Sequence, residues 1–202
     1  MDTPEDPHLH ELWLLSGMDG RGPAPFVDAA LARLGATHEE MEQATKRYQQ
    51  LTDKRQGRLS AVLELLSGAR IEGRRTRRGN LVVDRHRFAS WPDFEYEVEY
   101  DPAGHGWFTE REEFVRAPGS TAPQGTPVPW AWLRDETLAR YEVLREIDHW
   151  GLYHSFAVRD GAGEHLFLSF SSGLLQEVCL LEVLDGEPVE RPGGGDAPSG
   201  GS

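Results

Sequence analysis

Apolar residues along the chain recur first at helical spacing and later at every second position. Asp6-Pro7 offers an N-cap followed by proline at the first helical position, and Gly17 offers a stop. Between them Leu9, Leu12, Trp13 and Leu15 predict one apolar side. "APFVDAALARLG" predicts a second short helix, with Phe26, Ala30 and Leu34 on one face and Gly35 just past its end. Thr37-His38-Glu39-Glu40 fits a capping box, in which the threonine hydroxyl and the glutamate each take an unpaired backbone N–H. Met41, Ala44, Tyr48 and Leu51 continue that helix, and Leu59, Val62, Leu63 and Leu66 resume its stripe up to Gly68. Gly57, between the two stripes, costs ~1 kcal/mol relative to alanine, so a kink or break is expected there.

After Gly68 the period changes to two. "ARIEGRRTRRGNLVVDRHRF" predicts two strands joined at Arg78-Gly79-Asn80, and "DFEYEVEY" a third. Asp101-Pro102-Ala103-Gly104 is turn chemistry, and "GWFTEREEFVRA" returns as a strand with Trp107, Phe114 and Val115 available for a core. Proline and glycine make 118–129 a loop. Leu138, Tyr141, Leu144 and Ile147 then follow helical spacing, which predicts a helix near 135–149. A hairpin around Asp160-Gly161 follows, and "LLQEVCLLEVL" fits both periods and is read as a strand. Helices first and strands afterwards make an α+β pattern: N-terminal helices packed on a mainly antiparallel sheet, with one further helix. A single domain is expected over 1–185, helical over 6–68 and sheet over 70–185. The Gly/Pro/Ser-rich stretch 186–202 has almost nothing apolar to bury and reads as a disordered tail.

Charge narrows the function. The net charge of −13 over 202 residues disfavours nucleic acid as a partner. The cations are 19 arginines and two lysines, Lys46 and Lys54, so chemistry that needs a lysine has two candidates. One cysteine, Cys179, excludes an intramolecular disulfide, and its apolar neighbours suggest a buried small hydrophobe. The N-terminus has no basic, apolar signal region, and no run approaches the ~18 apolar residues of a membrane span, so a soluble, cytoplasmic chain away from membranes is expected.

The most distinctive stretch is "DFEYEVEYD", residues 93–101. Five carboxylates take its odd positions, while three aromatics and a valine take the even ones. In a strand the rings face the core and the acids face the other way. Like charges on one face repel, and a compensator stands nearby: seven arginines between residues 70 and 87, with Arg85 and Arg87 on alternate positions. Cross-strand pairing would relieve the repulsion, each exposed pair contributing only ~0–1 kcal/mol.

Two functions use these residues differently. In the first, Glu95, Glu97 and Glu99 form an exposed acidic face, flanked by exposed Trp130 and Trp132. It serves a non-catalytic protein-binding module for a basic protein partner, in the manner of inhibitors and immunity-type regulators. That reading needs no cofactor and no catalytic group. In the second, the chain is a metal-dependent, nuclease-like hydrolase. Asp84, Glu95 and Glu97 hold Mg²⁺ in a D…E-x-E arrangement, and His149 or His154 acts as base beside Asp148. His8, His10 and His38 are expected in water. No nucleophile elbow or phosphate-binding glycine loop occurs.

Overall fold

The computed structural model of the chain describes residues 8–19, 24–54, 62, 63, 66, 73–103 and 109–181. Among the elements whose bounds are described, helices α1 (Leu9–Met18), α2 (Ala24–Leu34) and α3 (His38–Lys54) come first. Eight strands follow, and they form two antiparallel sheets of four. The first comprises β1 (Gly73–Arg78), β2 (Leu81–His86), β3 (Phe94–Tyr100) and β4 (Arg111–Arg116). The short helix α4 (Arg134–Leu138) separates it from β5 (Glu142–Trp150), β6 (Tyr153–Arg159), β7 (His165–Ser171) and β8 (Leu174–Leu180). Each sheet is a meander in which sequence neighbours pair. The fold is α+β, with the single expected sheet divided into two.

One helix starts where local chemistry directs, whereas α1 begins after His8 with no side-chain cap, and Asp6 and Pro7 lie outside the described residues. At α3 the Thr37 hydroxyl accepts from the Glu40 N–H at 3.2 Å, and Glu40 Oε2 accepts from the Thr37 N–H at 2.8 Å, which closes the capping box. Glycine at φ +67 follows the end of α2 at Gly35. Leu12, Leu15 and Met18 of α1 and Met41, Ala44 and Tyr48 of α3 are buried together with Val27 of α2 and the helical residues Val62 and Leu66. Their common partner is the ring-bearing face of the first sheet: Val82, Phe94, Tyr96, Val98, Tyr100 and Phe114. His10 enters this core at 1% exposure, its ring 5.4 Å from that of Tyr96, which corrects the expectation that it is solvated. Glu11 is also buried. Its carboxylate accepts from the Ser90 N–H at 2.5 Å, while Arg33 donates to the Ser90 carbonyl at 2.7 Å, so α1 and α2 grip the same turn before β3.

A smaller core lies on the second sheet, where Val158, Leu168, Phe170 and Leu175 pack under Trp132, Leu138 and Tyr141. The turn between β7 and β8 ties the second sheet to β4 and to the start of α4. Ser172 and Gly173, between β7 and β8, accept through their carbonyls from the N–H groups of Phe114 and Arg134, both at 2.8 Å.

The helix expected over 135–149 is present but ends at Leu138, and residues 142–150 form β5. Two β-bulges explain the helical look of the sequence. They lie between Val143 and Arg145 and between Glu146 and Asp148, and each adds a residue to the alternation, so that a period of two reads locally as three. The ambiguous last element is a strand, β8, as expected. Cys179 is exposed near its end, which corrects its assignment to the core. Trp107, Gly57 and the C-terminal tail lie outside the described residues. Among the described residues, no helix is long and apolar enough to cross a membrane.

Candidate functional site

The first sheet separates its two faces chemically. On β3 the rings point to the helices, so Glu95, Glu97 and Glu99 point the other way. The register sets Arg85 opposite Glu97, Arg74 opposite Arg85, and Glu113 on the far side of Glu97. The carboxylates form a floor and the arginines a roof. Arg85 holds Glu97 through Nε at 2.7 Å and Nη2 at 2.6 Å, and Arg78 reaches Glu99 at 3.0 Å and Glu97 at 3.5 Å. Arg74 and Arg87 approach Glu95 at 3.3 and 3.6 Å, while Arg111 pairs with Glu113 and stands 3.9 Å from Glu97.

All three glutamates of β3 are buried, Glu97 completely. The cover is the arginine side chains, whose long stems lie across the sheet while their guanidinium groups remain in water. The expected free negative ridge is therefore corrected. Anything that approaches this face meets guanidinium first. The cross-strand Arg–Glu relief anticipated from the sequence is what the register provides.

Asp84 has a different neighbourhood. It pairs with Val98 across the ladder and so lies on the ring face, where its oxygens accept from Arg75 Nε at 2.7 Å, Arg75 Nη2 at 2.8 Å and the Tyr100 hydroxyl at 3.1 Å. Burial, reinforced by the Asp84 charge, pushes the Tyr100 hydroxyl above its ordinary pKa. Asp84 is thus on the opposite side of the sheet from Glu95 and Glu97. The three cannot converge on one ion, and the metal triad read from the sequence is corrected on that ground.

Trp130 and Trp132 are likewise not surface anchors, at 8% and 1% exposure. Trp130 sits beside Phe26 and Trp91 and donates to Gln176 Oε1 at 2.9 Å, whereas Trp132 fills the second core under the Arg140 guanidinium. Among the described residues the exposed tryptophan is Trp150, at 73%. Its strand, β5, is exposed along all nine residues. Among the described residues it is also the edge of the second sheet with no strand beyond it. At the other edge, Leu175 of β8 exchanges backbone hydrogen bonds with Trp130 and Trp132. Besides Trp150, β5 presents Val143, Leu144 and Ile147 to solvent. The bulges disguised this surface in the sequence, because the same residues read as the inner stripe of a helix.

The histidine pair singled out from the sequence does come together. His149 and His154 are cross-strand partners next to the β5–β6 turn, with ring centroids 4.0 Å apart. Asp148 pairs with Ser155 and lies on the other face, so it is not their carboxylate. That role falls to Glu146, which the sequence reading missed: Oε1 lies 3.1 Å from His154 Nδ1 and 3.7 Å from His149 Nδ1. Burial lowers the His154 pKa, and the hydrogen bond that the Glu146 carboxylate accepts opposes this only in part. Both histidines line a cleft of about 540 Å³ between the hairpin and the end of β4, shared with Arg111, Glu113 and Arg134. No family model, curated protein or solved structure matches this chain.

Proposed function

We propose that the chain is a non-catalytic protein-binding module, an inhibitor or immunity-type regulator of a basic protein, and that it binds through β5 rather than through the acidic strand. One observation carries this reading: β5, an edge strand with no further strand beside it among the described residues, displays Val143, Leu144, Ile147 and Trp150 to water. A large ring flanked by aliphatic side chains is the composition of interface hot spots. Exposed edges are otherwise blunted in natural sheets, which makes an apolar one meaningful. The bulges interrupt the ladder, so a partner docks on side chains instead of adding a full-length strand. Glu142, Glu146 and Asp148 outnumber Arg145 along β5, and with the net charge of −13 they favour encounter with a basic surface.

A photo-crosslinking amino acid in place of Leu144, introduced in the native host, tests the proposal. It should capture one discrete basic protein, and the adduct should disappear with Trp150→Ala. A probe at Arg74, on the arginine roof, should capture nothing comparable. Absence of a specific adduct at 144, or one indifferent to Trp150→Ala, refutes the proposal. An adduct with a second copy of the same chain refutes the basic partner.

A further inference from the structure

We propose that Glu146, His149 and His154 form a binding site for a divalent cation of the zinc class, with an open coordination position towards the cleft. This is independent of the protein-binding reading, although two of the ligands sit on β5.

The first support is the backbone. Residues three apart in a regular strand point to opposite faces, so Glu146 and His149 would be separated. The bulge between Glu146 and Asp148 removes that separation. Glu146 pairs with Phe156 and His149 with His154, two residues apart on β6, so all three side chains share one face. Bulges commonly re-aim a side chain at functional sites.

The distances are the second support. Ligand bonds of about 2.0–2.1 Å in a tetrahedral zinc site place donor atoms about 3.3–3.4 Å apart. Glu146 Oε1 stands 3.1 and 3.7 Å from the two Nδ1 atoms, on either side of that spacing, and all three donors lie within 4.8 Å of one another. A simple Glu146–His154 hydrogen bond accounts for one of these approaches. It leaves unexplained why His149, three residues along β5 from Glu146, presents Nδ1 to the same oxygen. With a cation bound, each imidazole coordinates through Nδ1 and carries its proton on Nε2.

Donor chemistry selects the ion. Two imidazoles and one carboxylate suit zinc and its neighbours, whereas Mg²⁺ and Ca²⁺ prefer oxygen donors throughout. Three protein ligands leave a fourth position for water or an anionic group, and His149 and His154 both face the cleft from which it would come. Arg134 lines the same cleft, which favours an anionic fourth ligand.

Isothermal titration of the full chain with Zn²⁺, Co²⁺, Mg²⁺ and Ca²⁺ tests the site. One Zn²⁺ per chain is expected, with Co²⁺ taken up and giving a visible ligand-field band, and no uptake of Mg²⁺ or Ca²⁺. Loss of a direct ligand should weaken Zn²⁺ binding by more than the roughly 10–100-fold that an outer-shell partner is worth. His149→Ala and Glu146→Gln should each do so and abolish the Co²⁺ band. Both positions are solvent-exposed, and circular dichroism verifies that the variants remain folded. His38→Ala, at a separate exposed histidine paired with Asp28, should leave binding intact. Wild type that takes up no Zn²⁺, or a folded His149→Ala chain that binds it undiminished, overturns the proposal.

Discussion

Removal of the Glu97 carboxylate should be the costliest single change on the outer face of the first sheet. The residue has no exposure and faces three guanidinium groups: Arg85 through two contacts at 2.6 and 2.7 Å, Arg78 at 3.5 Å and Arg111 at 3.9 Å. Breaking a fully buried ion pair from one side costs about 3–5 kcal/mol, because the other charge is stranded. Here the stranded charges are not fully buried, since the Arg85, Arg78 and Arg111 side chains keep 27, 51 and 37% of their exposure and can turn to water. That discount brings Glu97→Ala to about 2–3 kcal/mol. Glu95, whose arginines stand 3.3–4.0 Å away, should lose only about 1 kcal/mol on the same substitution. Urea unfolding of Arg85→Ala, Glu97→Ala and the double variant closes a thermodynamic cycle, and a coupling of about 1–2 kcal/mol is expected. A coupling near zero with unchanged denaturant slopes would show that the arginine roof covers the acids without holding them.

Two further outcomes follow from the geometry. Gly173 has φ +74, and a Cβ there would lie 3.2 Å from the Glu113 Cβ, so Gly173→Ala should destabilise by about 1 kcal/mol or more in urea unfolding; an unchanged midpoint would mean that the inter-sheet turn yields freely. Burial depresses the pKa of His86, a shift that Asp84 opposes and Arg75 assists. The unfolded chain therefore takes up this proton first, and the stability is complete above about pH 6.5 and is lost as pH falls through the folded value, at up to about 1.4 kcal/mol per pH unit. His86→Asn should flatten that part of the acid limb, and parallel curves for variant and wild type would refute the assignment.

Much of the architecture was legible because local signals agreed with the final packing. The capping box at Thr37 and Glu40, the change of period after Gly68 and the alternation of β3 all describe what forms. That arginines would lie across from the glutamates of β3 was also readable, but the register that sets Arg85 against Glu97 was not, since a slip of two residues keeps opposite charges facing. Burial was not. Alternation says which side a glutamate takes, but not that five arginine stems will close over it. Asp84 failed for a related reason: its even position put it on the ring face, and only the register with Val98 shows that a D…E-x-E string straddles a sheet. The β5 surface and the role of Glu146 were hidden by the bulges, which erase the period on which a strand is recognised. Trp130 and Trp132 looked like surface residues because they follow a proline-rich loop, whereas that segment runs beside β8 and turns their rings inward.

The outermost strand of the first sheet, β1, buries none of its six residues. It is attached by its ladder to β2 and by the reach of Arg74, Arg75 and Arg78 to the acids beneath. Such a rib contributes almost nothing to the oily interior, so its hold on the body weakens as added electrolyte dilutes the attraction between ions. The molecule therefore has a fringe whose fraying responds to ionic strength, around a centre of rings and aliphatic side chains that does not, and amide exchange along β1 would be the first to quicken in brine.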